Sequence, residues 1–451
     1  MSEQRNLSRR SFLTSATAVT AAGLVVTGAV LNACSTEKKP VVESKKFNDL
    51  APDGKLIKAA VIGCGGRGTG AAINFLDAGP NLQIVAIGDL FQDKIDAFRK
   101  QLKEQKGVEL ADEMCFTGWD AADKVLEQDI DYVILATPPH FRPDHFSKSI
   151  AAKKNVFMEK PLAVDPVGIR SVLATTEKAK ALGLSVVTGT QRRHARDYND
   201  IYAKIRSGAI GEITGAACYW NQNKLWHRNA QADWSEMEAM IRDWVNWTWL
   251  SGDHIVEQHV HNIDVVNWFL DAHPVKAVGF GSRLRRITGD QYDNFSVDYV
   301  YENNIHVHSM CRQINGCVNN VSEYIRGSKG YTNCANTIYN SDNSVQFQYA
   351  YPVNEKGETS RANMVNDYVQ EHIDLVNAIR TGEQFVEAEA TAISNMTAIM
   401  GRISAYTGKE VTWDEMLNSE LKYAPKQYIM GNVEIDKEIP LPGEAADALQ
   451  G

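Results

Sequence analysis

A short apolar run at residues 58–62 passes without a break into Gly63-Cys64-Gly65-Gly66-Arg67-Gly68, and residues 69–78 then carry apolar side chains at helical spacing. Strand, GxGxxG and helix in that order make a phosphate-binding turn. Gly63 permits the tight turn, Gly65 lets the backbone reach a pyrophosphate at the helix N-terminus, and Gly68 lets the helix pack on the strand. A lone glycine turn is a weak signal. Here a second apolar run at 82–88 ends at Asp89, where a carboxylate accepts hydrogen bonds from both hydroxyls of an adenosine ribose. Asp89 also selects the cofactor, because its charge repels a 2′-phosphate and Leu90 and Phe91 offer no cation to bind one. NAD is expected over NADP, and expected to be tightly bound.

Further apolar runs at 131–137 and 155–158 alternate with helical segments, and each ends in a polar or proline-rich turn: Thr137-Pro138-Pro139-His140 and Glu159-Lys160-Pro161. Such alternation requires a parallel, doubly wound sheet with ligands at the carboxyl ends of its strands. The cofactor contacts expected there are Gly63, Gly65, Gly66, Arg67, Gly68, Asp89, Thr137, Pro138, His140, His145, Glu159 and Lys160.

The first residues read as an address. Ser8-Arg9-Arg10-Ser11-Phe12-Leu13 precedes an uncharged stretch that runs to Leu31-Asn32-Ala33-Cys34, resembling a twin-arginine export signal that ends in a lipobox. A simple membrane anchor is the alternative reading, and either one puts the body outside the cytoplasm. The expected organisation is a signal at 1–34, a linker at 35–55, a dinucleotide-binding domain at 56–185, a substrate and oligomerisation domain at 186–420, and an extended arm at 421–451. Roughly 400 residues beyond the linker exceed what one hydrophobic core usually covers. The 47 basic residues are outnumbered by 56 acidic ones, without a lysine or arginine run. Such a surface argues against nucleic acid as a partner. Contact with the membrane is expected only through the signal or a lipid on Cys34.

The chain resembles the Gfo/Idh/MocA family, the glucose-fructose oxidoreductase and inositol dehydrogenase group. The resemblance rests on GCGGRG at 63–68, Asp89, ATPPHFRPDH at 136–145, MEKPLAV at 158–164, GTQRRH at 189–194, EQHVHNIDVVNW at 257–268 and AYTGKEVTWDEML at 405–417. It implies a second α/β domain with an open, mostly antiparallel sheet that often serves as an oligomer interface, so a homodimer or homotetramer is expected. It also implies a substrate cleft between that sheet and the nicotinamide, and a cis peptide before Pro161.

Lys160 stands at the end of a strand beside the expected nicotinamide site, where an ammonium can polarise the reacting hydroxyl. On a helix through 253–264, Glu257, His261 and Asp264 share one face and can point together into a cleft. The family pattern has Asp, Gly and His where this chain has Glu257, His259 and His261. The acid is therefore one methylene longer, and a glycine has become a histidine. His261 is the better acid/base, because an ordinary imidazole titrates near ~6.5. Lys160, His261 and Glu257 are thus the catalytic candidates. Arg192, Arg193, His194 and Asp264 are the substrate-binding candidates, with salt bridging as the plain alternative for the arginines. No metal is expected: His254, Glu257, His259 and His261 are ligand types, but 259 and 261 point opposite ways on a helix. Seven of the nine tryptophans fall between 220 and 268, and one or two are expected to meet a sugar face. The helices at 368–380 and 391–406, with Gly382 and Gly408 as their stops, look structural.

These residues predict hydride transfer between a sugar or glycoside hydroxyl carbon and NAD. A glycosidase that works by transient oxidation, elimination and re-reduction would share nearly all of the machinery. A non-catalytic sugar-binding lipoprotein would not need the fingerprint together with Lys160 and His261.

Overall fold

The computed structural model describes residues 41–443; the expected signal, with Cys34, lies outside the described residues, as do residues 444–451. Among the described residues six strands form the first sheet: β1 (Ile57–Ile62), β2 (Leu82–Asp89), β3 (Cys115–Thr117), β4 (Tyr132–Leu135), β5 (Asn155–Met158) and β6 (Val186–Thr188). All are parallel, in the order β3-β2-β1-β4-β5-β6. β4 is buried throughout and β5 nearly so, as continuous apolar runs must be when helices cover both faces of a sheet. Strand order reverses between β1 and β4, and the crevice opened there at the carboxyl ends is where a doubly wound sheet takes its ligand.

The second sheet has nine strands among the described residues: β7 (Ile213–Gln222), β8 (Lys276–Ser282), β9 (Asn294–Val300), β10 (His306–Gln313), β11 (Asn320–Gly327), β12 (Gly330–Thr332), β13 (Thr337–Asn340), β14 (Val345–Gln348) and β15 (Val411–Thr412). Their order is β14-β13-β12-β11-β7-β10-β9-β8-β15, and every pairing is antiparallel except β7 with β10. The strict in-and-out alternation of β10 shows why: only one face is covered, by the helices Val260–Leu270 and Ala388–Thr407. The other face leaves Val278, Phe280 and Tyr324 partly or largely in solvent. Ala388–Thr407 is buried along almost its whole length because it packs on β8, on Pro166–Ala181 and on Val260–Leu270. Among the described residues no helix is long and apolar enough to cross a membrane.

Three expectations change. The boundary at 185/186 cuts off β6, which is the sixth strand of the first sheet; Val186, Phe157 and their neighbours must stay together to cover that edge. Helix Asp367–Thr381 returns to the dinucleotide domain, burying Ile373, Leu375 and Val376 in one cluster with Phe75 and Tyr132. The segment after 420, expected as an extended arm, is docked against the body: Leu421 and Val433 are buried, and the Tyr292 hydroxyl donates to the Pro440 carbonyl at 2.6 Å. The helix stops at Gly382 and Gly408 are as the sequence predicts, both left-handed, at φ +74° and +71°.

Candidate active site

The glycine turn is fixed by close approach. Gly63 has φ +101°, and a Cβ there would lie 2.6 Å from the carbonyl carbon of Ala136 and the nitrogen of Thr137. A Cβ at Gly68 would lie 1.8 Å from the Gly63 carbonyl oxygen. Gly65, by contrast, has nothing within 4 Å of its Cβ position. It precedes helix Gly66–Asp77 without any side-chain cap, which leaves the first-turn N–H groups available to an anion. At the end of β2 the Asp89 carboxylate accepts from Cys64 N at 2.7 Å and Phe91 N at 3.0 Å, so it braces the turn as well as facing the crevice. The cleft has a volume of about 550 Å³ and is lined by Gly63, Gly65, Gly66, Arg67, Asp89, Thr137, Pro138 and His145. Burial pushes His145 down to about 4, and its neutral Nδ1 pairs with the Thr137 hydroxyl at 3.1 Å. His140 is a correction: it does not line the cleft, but pairs through Nε2 with the Tyr428 hydroxyl at 2.8 Å and packs edge-on to Trp249.

At the end of β5, Lys160 and Glu159 diverge. Lys160 Nζ donates to the Glu257 carbonyl at 2.6 Å and to its carboxylate at 3.2 Å. Glu159 turns the other way to pair with Arg67. It fits because residue 189 is glycine: a Cβ there would sit 2.5 Å from Glu159 Oε2. The Lys160–Pro161 peptide is cis. Arg67 also stacks 4.6 Å over Tyr368 and lies 3.6 Å from Glu371, whose buried carboxyl is pushed well up by desolvation. Tyr368 and Glu371 come from a helix that the sequence marks only as regular apolar spacing, and no motif announced them.

The continuous helix expected through 253–264 is interrupted. His254–Glu257 ends at Gln258, and a new helix runs Val260–Leu270. The segment starts from Asp253 at φ +69°, a conformation few non-glycine residues adopt. It is held there by donors on every side: His254 N at 2.5 Å, Tyr292 N at 3.0 Å and the Tyr406 hydroxyl at 2.5 Å. His261 then stacks on Trp220 with ring centroids 5.6 Å apart. Burial, followed by the positive charges of Lys160, Arg192 and Arg67, holds His261 well below the ordinary imidazole value, so it is neutral.

The substrate-binding set divides. Arg192 stays beside Trp220, 5.9 Å over the ring, and pairs with buried Glu323 at 2.9 Å. Arg193 takes the salt-bridging alternative and Asp264 is a correction: they form a two-pronged pair at 2.8 Å on each prong, and the Ser394 hydroxyl donates to the same carboxylate. This consumes Asp264, which therefore does not share a cleft face with Glu257 and His261. His194 is a third correction. It is buried, with Nδ1 2.7 Å from Asp374 and Nε2 3.1 Å from Glu387, and those two carboxylates raise it to about 10 despite burial. His259 lies in the core with Nε2 2.7 Å from the Ser309 hydroxyl, and His254 pairs with Asp253 at 2.8 Å. Among the described residues no group of three or more His, Cys, Asp or Glu side chains is placed to hold a metal ion.

Residues 57–188 match the family described as "Oxidoreductase family, NAD-binding Rossmann fold", and residues 198–332 match the "GFO/IDH/MocA C-terminal domain". The chain belongs to the Gfo/Idh/MocA family. Its cofactor is NAD, and the residues present fit it: an uncapped helix N-terminus, an open position at Gly65, and a carboxylate at the end of β2. Among curated relatives, this Gfo/Idh/MocA chain is 24% identical over 246 residues to scyllo-inositol 2-dehydrogenase (NAD(+)) of Bacillus subtilis, covering 54% of this chain and 63% of that one. It is 28% identical over 233 residues to the alpha-N-acetylgalactosaminidase of Shewanella oneidensis, covering 49% of each. The chain thus spans between about half and 63% of the length of these curated relatives. In fold it is similar to scyllo-inositol dehydrogenase from Lactobacillus casei solved with NAD(H) and scyllo-inositol, at TM-score 0.58 and 20% identity over 79% of this chain and 99% of that one. GenD2 from gentamicin A biosynthesis, solved with NAD, gives TM-score 0.60 at 17% identity over 80% and 99%.

Proposed function

We propose that this chain oxidises a hydroxyl carbon of a neutral sugar or sugar derivative, with Lys160 polarising the hydroxyl and His261 taking its proton. The observation that carries this reading is the convergence of Lys160 from the first domain with Glu257, His261 and Trp220 from the second. Bound NAD supplies the two-electron hydride acceptor. Two of the three Nζ protons of Lys160 are held by Glu257, which aims the ammonium and leaves one donor for the substrate oxygen. Neutral His261 is ready to accept the hydroxyl proton as the C–H hydride departs and the C=O bond forms. Trp220 stacks on His261 and fixes the plane of its ring.

Charge balance supports a neutral substrate. Lys160 is matched by Glu257, Arg192 by Glu323, Arg193 by Asp264 and Arg67 by Glu159, so no surplus cation remains among them for a carboxylate or phosphate.

A second reading, oxidation followed by elimination of an aglycone and re-reduction, is favoured by the likeness to the Shewanella alpha-N-acetylgalactosaminidase. Incubation with a panel of inositols, free sugars and glycosides separates the two. Keto-sugar with stoichiometric NADH supports the dehydrogenase; released aglycone without net NADH supports the glycosidase; neither product from any of them would overturn both.

From the twin-arginine and lipobox pattern at residues 8–34 we propose further that the protein is periplasmic and lipid-anchored through Cys34. It is assembled there as a dimer or tetramer across the open face of the second sheet, where Val278 and Phe280 stand in solvent. Globomycin-sensitive processing and palmitate labelling test the anchor, and sedimentation tests the assembly.

A further inference from the structure

After β7 the chain leaves the second sheet, and residues 223–247 cross to the dinucleotide domain before the short helix Thr248–Ser251 begins. Part of this excursion is the helix Glu236–Arg242, whose start is capped by Ser235. It brings Trp226, Arg228, Arg242 and Trp244 into the wall of the same cleft that Asp89 and Lys94 line from the other side.

The excursion is fastened at the adenosine end. Arg242 grips Asp93, four residues beyond the ribose carboxylate, with two hydrogen bonds of 2.8 and 3.1 Å, and its guanidinium lies 3.9 Å over the Phe91 ring. Met237, Met240 and Ile241 are buried in a cluster with Phe91, Trp249 and Val433, a hydrophobic core separate from that of either sheet. The C-terminal segment straps it from outside: Val433 N donates to Glu236 at 2.7 Å, and Lys437 pairs with the same carboxylate at 2.5 Å.

Two features of this wall call for a ligand. Trp226 is 42% exposed and Trp119 39% exposed, large aromatic side chains left partly open, one from each domain, on the lining of one cleft. Lys94, Arg228 and Arg242 gather there as well; partial burial and then the charge of Arg228 hold Lys94 below the ordinary lysine value. A flat, electron-rich base with an attached anion matches aromatic faces and cations together.

We propose that residues 223–247 are a clasp on the adenosine half of NAD: Trp226 and Arg228 contact the bound nucleotide, and the Arg242–Asp93 pair is the latch that limits its release. This rests on the NAD site and not on the identity of the sugar. A cofactor enclosed by both domains leaves only when the latch and its small core open, so release is slow while hydride transfer is untouched.

The test loads the full-length protein with NADH, mixes it with excess NAD+, and follows loss of bound-NADH fluorescence. Arg242→Met should release NADH at least 10-fold faster than wild type, and the exchanged pair Asp93→Arg with Arg242→Asp should recover most of the slow release. Trp226→Ala, at an exposed position that does not threaten folding, should also speed release. Both single variants should weaken ADP-ribose binding and leave nicotinamide mononucleotide binding unchanged. Release from Trp226→Ala within twofold of wild type, or equal effects on the two half-cofactors, would overturn the clasp. No sugar enters these assays, so failure of the sugar reading leaves their outcome intact.

Discussion

Lys160 Nζ lies 2.6 Å from the Glu257 carbonyl oxygen and 3.2 Å from its carboxylate, a bond between the end of a strand in one domain and the end of a short helix in the other. This pairing explains why an acid one methylene longer than the family's usual aspartate is accommodated here: the longer side chain still reaches the ammonium.

Replacing Lys160 by Met keeps the length and apolar stem while removing the charge. Turnover should fall by about 10²- to 10⁴-fold, with NAD binding measured by calorimetry nearly unchanged, because in the proposed mechanism the lysine acts on the substrate oxygen and not on the cofactor's phosphates. Retention of wild-type turnover would remove Lys160 from the mechanism.

The His261 imidazole is held well below its ordinary value of 6.5, chiefly by burial and then by Lys160, Arg192 and Arg67. It therefore stays neutral, and able to take a proton, at pH values where an ordinary histidine is already charged. The acid limb of kcat/KM for oxidation should accordingly have its midpoint below pH 6.5. A limb at or above 6.5 would assign the proton to another group.

Asp89→Ser should weaken NAD by about 10- to 100-fold, the loss expected for charged hydrogen bonds to a ribose diol, and should narrow the preference over NADP. Because Asp89 also holds Cys64 N and Phe91 N, the glycine turn should loosen, visible as faster amide exchange at 63–66. Tighter binding of NADP than NAD by the wild type would contradict the ribose assignment.

His194 is raised to about 10 by Glu387 and Asp374, so its contribution to folding is complete below about pH 6.5 and is lost as pH rises towards about 10. Asp374 is lowered to about 2, so its share is present above the ordinary aspartate value and lost only as pH falls towards about 2. Melting temperature should therefore decline on the alkaline side. In His194→Phe, which leaves Glu387 without its close cation and Asp374 with Lys45 alone, stability should drop by about 1–3 kcal/mol. An unchanged alkaline decline in that variant would show that another group is responsible.

Local rules carried the sequence a long way. The fingerprint at 63–68, the carboxylate at 89 and the strand-end Lys160 are each set by a neighbourhood of a few residues: a positive φ, a close backbone approach, a strand terminus. Their places followed from order along the chain. The glycine stops at 382 and 408 were legible for the same reason.

What the tertiary structure decided was which charges meet. Arg193, His194 and Asp264 have the chemistry of substrate contacts, but Arg193 and Asp264 consume each other, and Asp374, Glu387 and Ser394 arrive from more than a hundred residues away to hold His194 and Asp264. Tyr368 and Glu371 reach Arg67 of the cleft wall, and Arg242 lines that wall itself, from segments that carry no motif. The sequence by itself determined the dinucleotide turn, the choice of NAD and the fold class, because backbone geometry and residue type suffice for them. Only the folded chain decided the partners of each buried ion, because a charge moved out of water is governed by whatever opposite charge lies within a few ångströms, however distant in sequence.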